Sequence, residues 1–191
     1  MNNKKLSRVL NQLIGMKYLP KSKLSQVWIE TAIYTLIGLT IIAILLAIAN
    51  PQIDKIKDKG MINQATDALN ILDGKVLDVS QSVGSVAVPN IKVGKGKFII
   101  NSSNDSIGYV LENSVLEYSQ VGIDIKEGNF IFKTEKFGNK FNIFITRYYS
   151  GVNITYNGSD TTDRYLETSP IPYKIRMENR GNSNIDFDII G

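Results

Sequence analysis

The arrangement of apolar and polar positions gives this chain three successive textures. Residues 31–49 are 19 consecutive uncharged positions, rich in Ile, Leu and Ala. As an α-helix at about 1.5 Å per residue the run spans ~28 Å, close to the ~30 Å hydrocarbon core of a bilayer. At Asn50-Pro51 the missing N–H and the crowding ring of proline predict a kink or a brief interruption. Apolar residues then recur at Ile62, Ala65, Leu69, Leu72 and Val76. Spacings of three and four mark one stripe of an amphipathic helix. Asp54, Lys55, Lys57, Asp58, Lys59, Asp67 and Asp73 are available for its polar side, and Gly60 is tolerated at a cost of about 1 kcal/mol relative to Ala. Together these patterns predict a nearly continuous helix from about residue 27 to residue 77, apolar all round in its first half and one-sided in its second.

After residue 79 short β-rich stretches alternate with turn residues. Strands are expected at residues 83–88, 97–101, 108–111, 115–118, 121–125, 129–134, 140–149, 152–156, 173–178 and 185–190. Reversals are marked at Gly128-Asn129, Gly138-Asn139 and Asn157-Gly158. In the longest stretch Phe141, Ile143 and Ile145 share one face by period-two alternation. Many short strands at such spacing predict an antiparallel sandwich or barrel-like sheet. The expected fold class is therefore α+β: a long N-terminal α-helix, with a transmembrane half plus an amphipathic half, followed by an antiparallel β-sandwich-like domain. The expected organisation is a basic leader at residues 1–25, the long helix at 26–79 with its transmembrane segment at 31–49, and a β-rich domain at 80–191.

Charge sharpens this division. The chain carries 22 Lys and Arg against 18 Asp and Glu, a formal net charge of +4. Lys4, Lys5, Arg8, Lys17, Lys21 and Lys23 all precede the apolar run and no acidic residue accompanies them, so the rest of the chain is slightly acidic. That distribution argues against a nucleic-acid-binding domain, whose positive charge would lie on the folded surface. It matches a cytoplasmic flank under the positive-inside rule, with everything after Asn50 outside, and Trp28 and Tyr34 stand near the basic end as headgroup-level rings. A soluble core helix would need a larger domain around it than the remaining residues supply. A secretory signal would be shorter and end in a small-residue cleavage site, which Ala47, Ala49 and Asn50 only imitate.

Cysteine and histidine are both absent. That removes disulfides, thiol nucleophiles and zinc-thiolate sites, together with the usual general base and the commonest metal ligand. The expectation is a non-enzymatic protein with no cofactor and no metal. One carboxylate, Glu30, stands at the threshold of the apolar run, where a charge asks for a partner.

Over residues 21–50 the chain resembles an archaeal type IV pilin-like protein with a class III signal peptide. The shared pattern is a short basic leader, a cleavage point just before the apolar run, Gln at the first mature position and Glu at the fifth. Here these fall at Ser25, Gln26 and Glu30, followed by Ile33, Leu36 and Ile37. The resemblance implies cutting between Ser25 and Gln26 by a membrane prepilin peptidase. It also implies storage of the precursor as a single-pass protein in the cell membrane, and assembly through the apolar helix into an extracellular filament, possible tasks being adhesion, motility, secretion and DNA uptake. Implied partners are identical or homologous pilin subunits, the peptidase, a filament-assembly platform and membrane lipid, but no nucleic acid. On this reading Glu30 pairs with the new α-amino group of Gln26 on a neighbouring subunit. The plainer reading makes Glu30 a first-turn acid at a helix N-terminus, contributing about 0.3–1 kcal/mol. The alternative function is a single-pass, membrane-anchored surface protein whose β-rich ectodomain binds a ligand without polymerising.

Other constellations are weaker. Asn101, Asn104, Asn153 and Asn157 each begin an Asn-x-Ser/Thr sequon in the domain expected outside, where glycans are added. Asp160 with Asp163, and Asp186 with Asp188, lack the pattern of a calcium loop, and the second pair alternates with Phe187 and Ile189 as in a half-exposed strand. Residues 93–98 contain two Gly-Lys steps but lack the spacing of a phosphate loop, so a basic β-turn is expected. Tyr148, Tyr149, Tyr156 and Tyr173 would form an adhesive patch if grouped on the surface, and packing residues otherwise.

Overall fold

Helix α1 occupies Lys21–Ser80 in the computed structural model of the chain, which describes Ser7 and residues 21–190, residues 21–26 by backbone alone. The leader expected at residues 1–25 thus lies outside the described residues, apart from Ser7 and the helical backbone of residues 21–25. Three threonines would bring hydroxyls into the apolar run, and each turns its hydroxyl back onto the helix. Thr31 donates to the carbonyl of Val27 at 2.8 Å, Thr35 to Thr31 at 2.7 Å and Thr40 to Leu36 at 2.7 Å. Such i−4 bonds leave no orphan donor on the helix surface.

The helix carries Pro51 within it. The brief interruption allowed for at Asn50-Pro51 is absent, because both residues are helical. The bond between them is nevertheless where the chain divides into two units, residues 1–50 and residues 51–191. In the second unit the predicted stripe forms the core: Ile62, Leu69 and Val76 are fully buried, with Ala65, Leu72 and Val79 nearly so. The helix ends without a basic residue in its last turn. Its terminal carbonyls are met instead by the Asn179 side-chain amide, which donates to Val79 at 3.0 Å and to Ser80 at 3.3 Å.

Eleven strands follow among the described residues. One sheet runs β5 (Asp124–Glu127), β6 (Phe130–Phe137), β7 (Lys140–Tyr148), β4 (Ser106–Ser114), β3 (Lys97–Asn101), β9 (Arg164–Leu166), antiparallel throughout. The other runs β1 (Val86–Ala87), β10 (Tyr173–Gly181), β11 (Asn184–Ile189), β8 (Asn153–Tyr156), with β2 (Asn90–Ile91) also on β10. Alternation assigns the faces. In β7 Ile143 and Ile145 are fully buried, while Phe144 between them and Thr146 after them are only half-buried. Phe132 from the first sheet, Phe187 and Met177 from the second, and Leu69 of α1 belong to one continuous core. The fold is thus α+β, one long helix followed by antiparallel-rich sheets.

Four expectations need correction. Strands β8 and β11 pair in parallel, because the chain between them crosses to the other sheet as β9 and returns as β10. Residues 115–118 form no strand; the Val115 N–H donates to the Asp58 carboxylate at 3.0 Å instead of to a neighbouring strand. Strands β2 and β9 were not expected; they are two and three residues long, too short to show a period. Finally, Asp58 and Asp73 do not lie on the solvent side of α1 but are buried, 3 % and 4 % exposed. The two-residue reversals behave as expected: Gly128 and Gly138 open the β5–β6 and β6–β7 turns at φ +60° and +61°, where a side chain would be strained.

Candidate functional site

The feature without an internal explanation is the first half of α1. Every large apolar side chain from Val27 to Ile48 is exposed, with Trp28 at 78 % and Tyr34 at 73 %. The segment has a mean hydropathy of 2.6 over its most apolar window, none of which is buried. It is long and apolar enough to cross a membrane. Glu30 is exposed at its beginning and has no ion-pair partner among the described residues. Ser25 and Gln26 lie in helical backbone one turn earlier, and their side chains lie outside what is described.

In the second unit α1 is held by buried carboxylates as well as by its stripe. Asp58 forms an ion pair with Lys95 and accepts from the Ser114 hydroxyl at 2.8 Å and the Val115 N–H at 3.0 Å. Burial pushes this carboxyl up, but the pull of Lys95, Ser114 and Val115 outweighs it and leaves the group below the usual carboxylate range. Asp73 accepts from Arg147 Nε and from the Asn129 amide, both at 3.1 Å. Its neighbour Tyr149, stacked under the Arg147 guanidinium at 5.0 Å, has a buried hydroxyl with no hydrogen-bond partner among the described residues. Burial first, and the Asp73 charge second, hold that phenol well above its ordinary value. The sequence held a usable signal: Asp58 is four residues before Ile62 and Asp73 four after Leu69, so both continue the buried stripe.

The basic β-turn expected at residues 93–98 is instead a bend at residues 94–96 that leads into β3 at Lys97, and the lysines here have structural partners. Lys95 meets Asp58, and Lys97 meets Glu112 at 3.4 Å and Glu167 at 3.6 Å. Gly96 has φ +75°, and a Cβ there would lie 2.3 Å from the Val110 carbonyl oxygen. The Tyr109 hydroxyl donates to the Lys95 carbonyl at 2.5 Å.

The paired aspartates separate. Asp160 accepts from the Asn153 amide at 3.0 Å and Asp163 from the Ser103 hydroxyl at 3.3 Å. Asp186 is buried rather than half-exposed: it pairs with Arg180 at 2.5 Å and accepts from Thr155 and the Gly158 N–H, both at 2.6 Å. Among the described residues no three His, Cys, Asp or Glu side chains group as metal ligands. The four tyrosines form no common patch, since Tyr149 and Tyr156 are buried while Tyr148 is exposed. Of the sequon asparagines, Asn104 and Asn157 are exposed, whereas Asn101 and Asn153 are half-buried. The Asn153 amide is engaged with Asp160 and its Thr155 hydroxyl with Asp186.

No protein-family model, curated protein or solved structure matches this chain.

Proposed function

We propose that this protein is a structural subunit, major or minor, of an archaeal type IV pilus-like surface filament, made as a membrane-held precursor and assembled through the first half of α1. The observation that carries this reading is the contrast within one helix. Residues 62–79 bury their stripe in the protein's own core, whereas residues 27–48 leave every large apolar side chain exposed. Exposed apolar surface on that scale requires an apolar surrounding. Lipid supplies it before assembly, and identical helices supply it in a filament core, where all-round apolar helices bundle.

Glu30 supports the second surrounding. In an uncut single-span anchor α1 begins at Lys21 with no acidic residue in its first turn, so Glu30 gains nothing from the helix N-terminus, whereas a subunit cut between Ser25 and Gln26 gains an α-amino group four residues away in sequence. That amine on a neighbouring subunit would neutralise Glu30 and set the register between helices. The folded unit at residues 51–191 would then face outward, and adhesion is the task we assign to it. The peptidase and an assembly platform are the partners this requires.

N-terminal mass spectrometry of the membrane and appendage fractions tests the reading. We expect a mature chain beginning at Gln26, or at its pyroglutamate form. If every molecule in both fractions retains residues 1–25, the protein is an anchored surface domain that does not polymerise.

A further inference from the structure

The sheet β5-β6-β7-β4-β3-β9 packs only one of its faces into the core. On the other, cross-strand register lines up Ile131, Thr146, Gly108, Ile99 and Tyr165 in one row. Gly108 sits in the middle of that row without a side chain, and a Cβ there would come within 2.9 Å of the Ile145 carbonyl oxygen. The missing side chain leaves a depression, and two adjoining hollows open on this face. One, of about 250 Å³, is lined by Asp124, Lys133, Glu135 and Phe144; the other, of about 100 Å³, by Asn101, Asn104 and Gly108. Phe144, Thr146 and Tyr148 of β7 line both, so the two flank that strand and together make a trough that straddles it.

We propose that this trough binds a neutral oligosaccharide, a role independent of whether the protein polymerises. The chemistry of the lining selects that class. Tyr148 is 52 % exposed on this face, as is Tyr165. Phe144 and Tyr148 are four residues apart on β7, so their rings stand roughly 13 Å apart along the trough at about 3.3 Å per residue. A sugar ring offers C–H groups on its faces and hydroxyls around its rim. Aromatic faces take the first through their negative quadrupole, and a few placed amides, hydroxyls and carboxylates take the second. Asn101, Asn104, Thr146 and Asp124 are of those types. The formal charges nearly cancel, since Lys133 is paired with Glu135 at 2.8 Å and Asp124 lies opposite Lys133 in register. An anionic ligand such as nucleic acid or a phosphorylated peptide finds no uncompensated cluster of cations there.

The test uses the full chain, produced in a host that adds no N-glycans and held in a zwitterionic detergent without a sugar headgroup. Saturation-transfer NMR with cellotriose, chitotriose and mannotriose as probes should show transfer to the ring protons of at least one of them. Tyr148→Ala should weaken that binding at least tenfold, and Thr146→Arg, which fills the trough from the strand that both hollows share, should abolish it. Val86→Ala on the other sheet should leave it unchanged. No transfer to any of the three probes overturns the proposal, as does binding that survives both Tyr148→Ala and Thr146→Arg. Neither result bears on filament assembly, which the Gln26 terminus decides separately.

Discussion

Two aspartates show how far a single side chain depends on partners remote in sequence. Asp73 meets Arg147 across 74 residues and Asp58 meets Lys95 across 37. Removing one member of a buried pair strands the other and typically costs about 3–5 kcal/mol. Arg147 keeps a quarter of its side-chain surface in water, so Asp73→Ala should cost rather less, about 2–3 kcal/mol, in denaturant unfolding of the full chain. A change below about 0.5 kcal/mol would show that Asp73 does not hold the helix. Asp58 gives a pH dependence with a definite sign. Its folded value lies below the unfolded one, near 3.9 for an aspartate. The unfolded chain therefore binds the proton more readily, and the stabilisation present at neutral pH is lost as pH falls from about 4 through the lowered value. Thermal unfolding between pH 7 and 3 should show this loss, and Asp58→Asn should flatten it.

At the level of elements, α1 has halves of opposite character that were legible in the chain. An all-round apolar run and a stripe at spacings of three and four are local patterns, and both appear where expected. The strands at residues 97–101 and 140–148 were equally readable from alternation and turn residues. Partner choice was not. The parallel pairing of β8 with β11 and the loss of a strand at residues 115–118 follow from contacts between distant segments, which no local period encodes. The contrast within α1 predicts the effect of two equal truncations. Leu69→Ala should destabilise the unit at residues 51–191 by about 2–5 kcal/mol through a core cavity. Ile42→Ala, at a side chain already 54 % exposed, should leave that unfolding transition in place, as followed by near-ultraviolet circular dichroism. Equal shifts for the two would refute the assignment of separate roles to the halves.

For the molecule as a whole, the division at Asn50 and Pro51 separates a segment that needs an external apolar surrounding from one that supplies its own core. The filament reading locates its specificity in Glu30. A Glu30→Ala variant should still insert in the membrane, since the change makes the helix more apolar. It should enter filaments poorly, because the Gln26 amine then has no counter-charge. Quantifying the variant against wild type in sheared appendage fractions checks this. Equal incorporation would dismiss the pairing role.

The sequence by itself determined the long helix with its two characters, the basic flank, the lone Glu30 and the change to β texture, because each is written in composition or in a short period. Only the tertiary structure decided which partners Asp58, Asp73 and Asp186 meet, and that the outer face of one sheet carries a trough between Phe144 and Tyr148. Those arrangements need groups tens of residues apart to converge, and convergence is set by how the sheets and the helix pack.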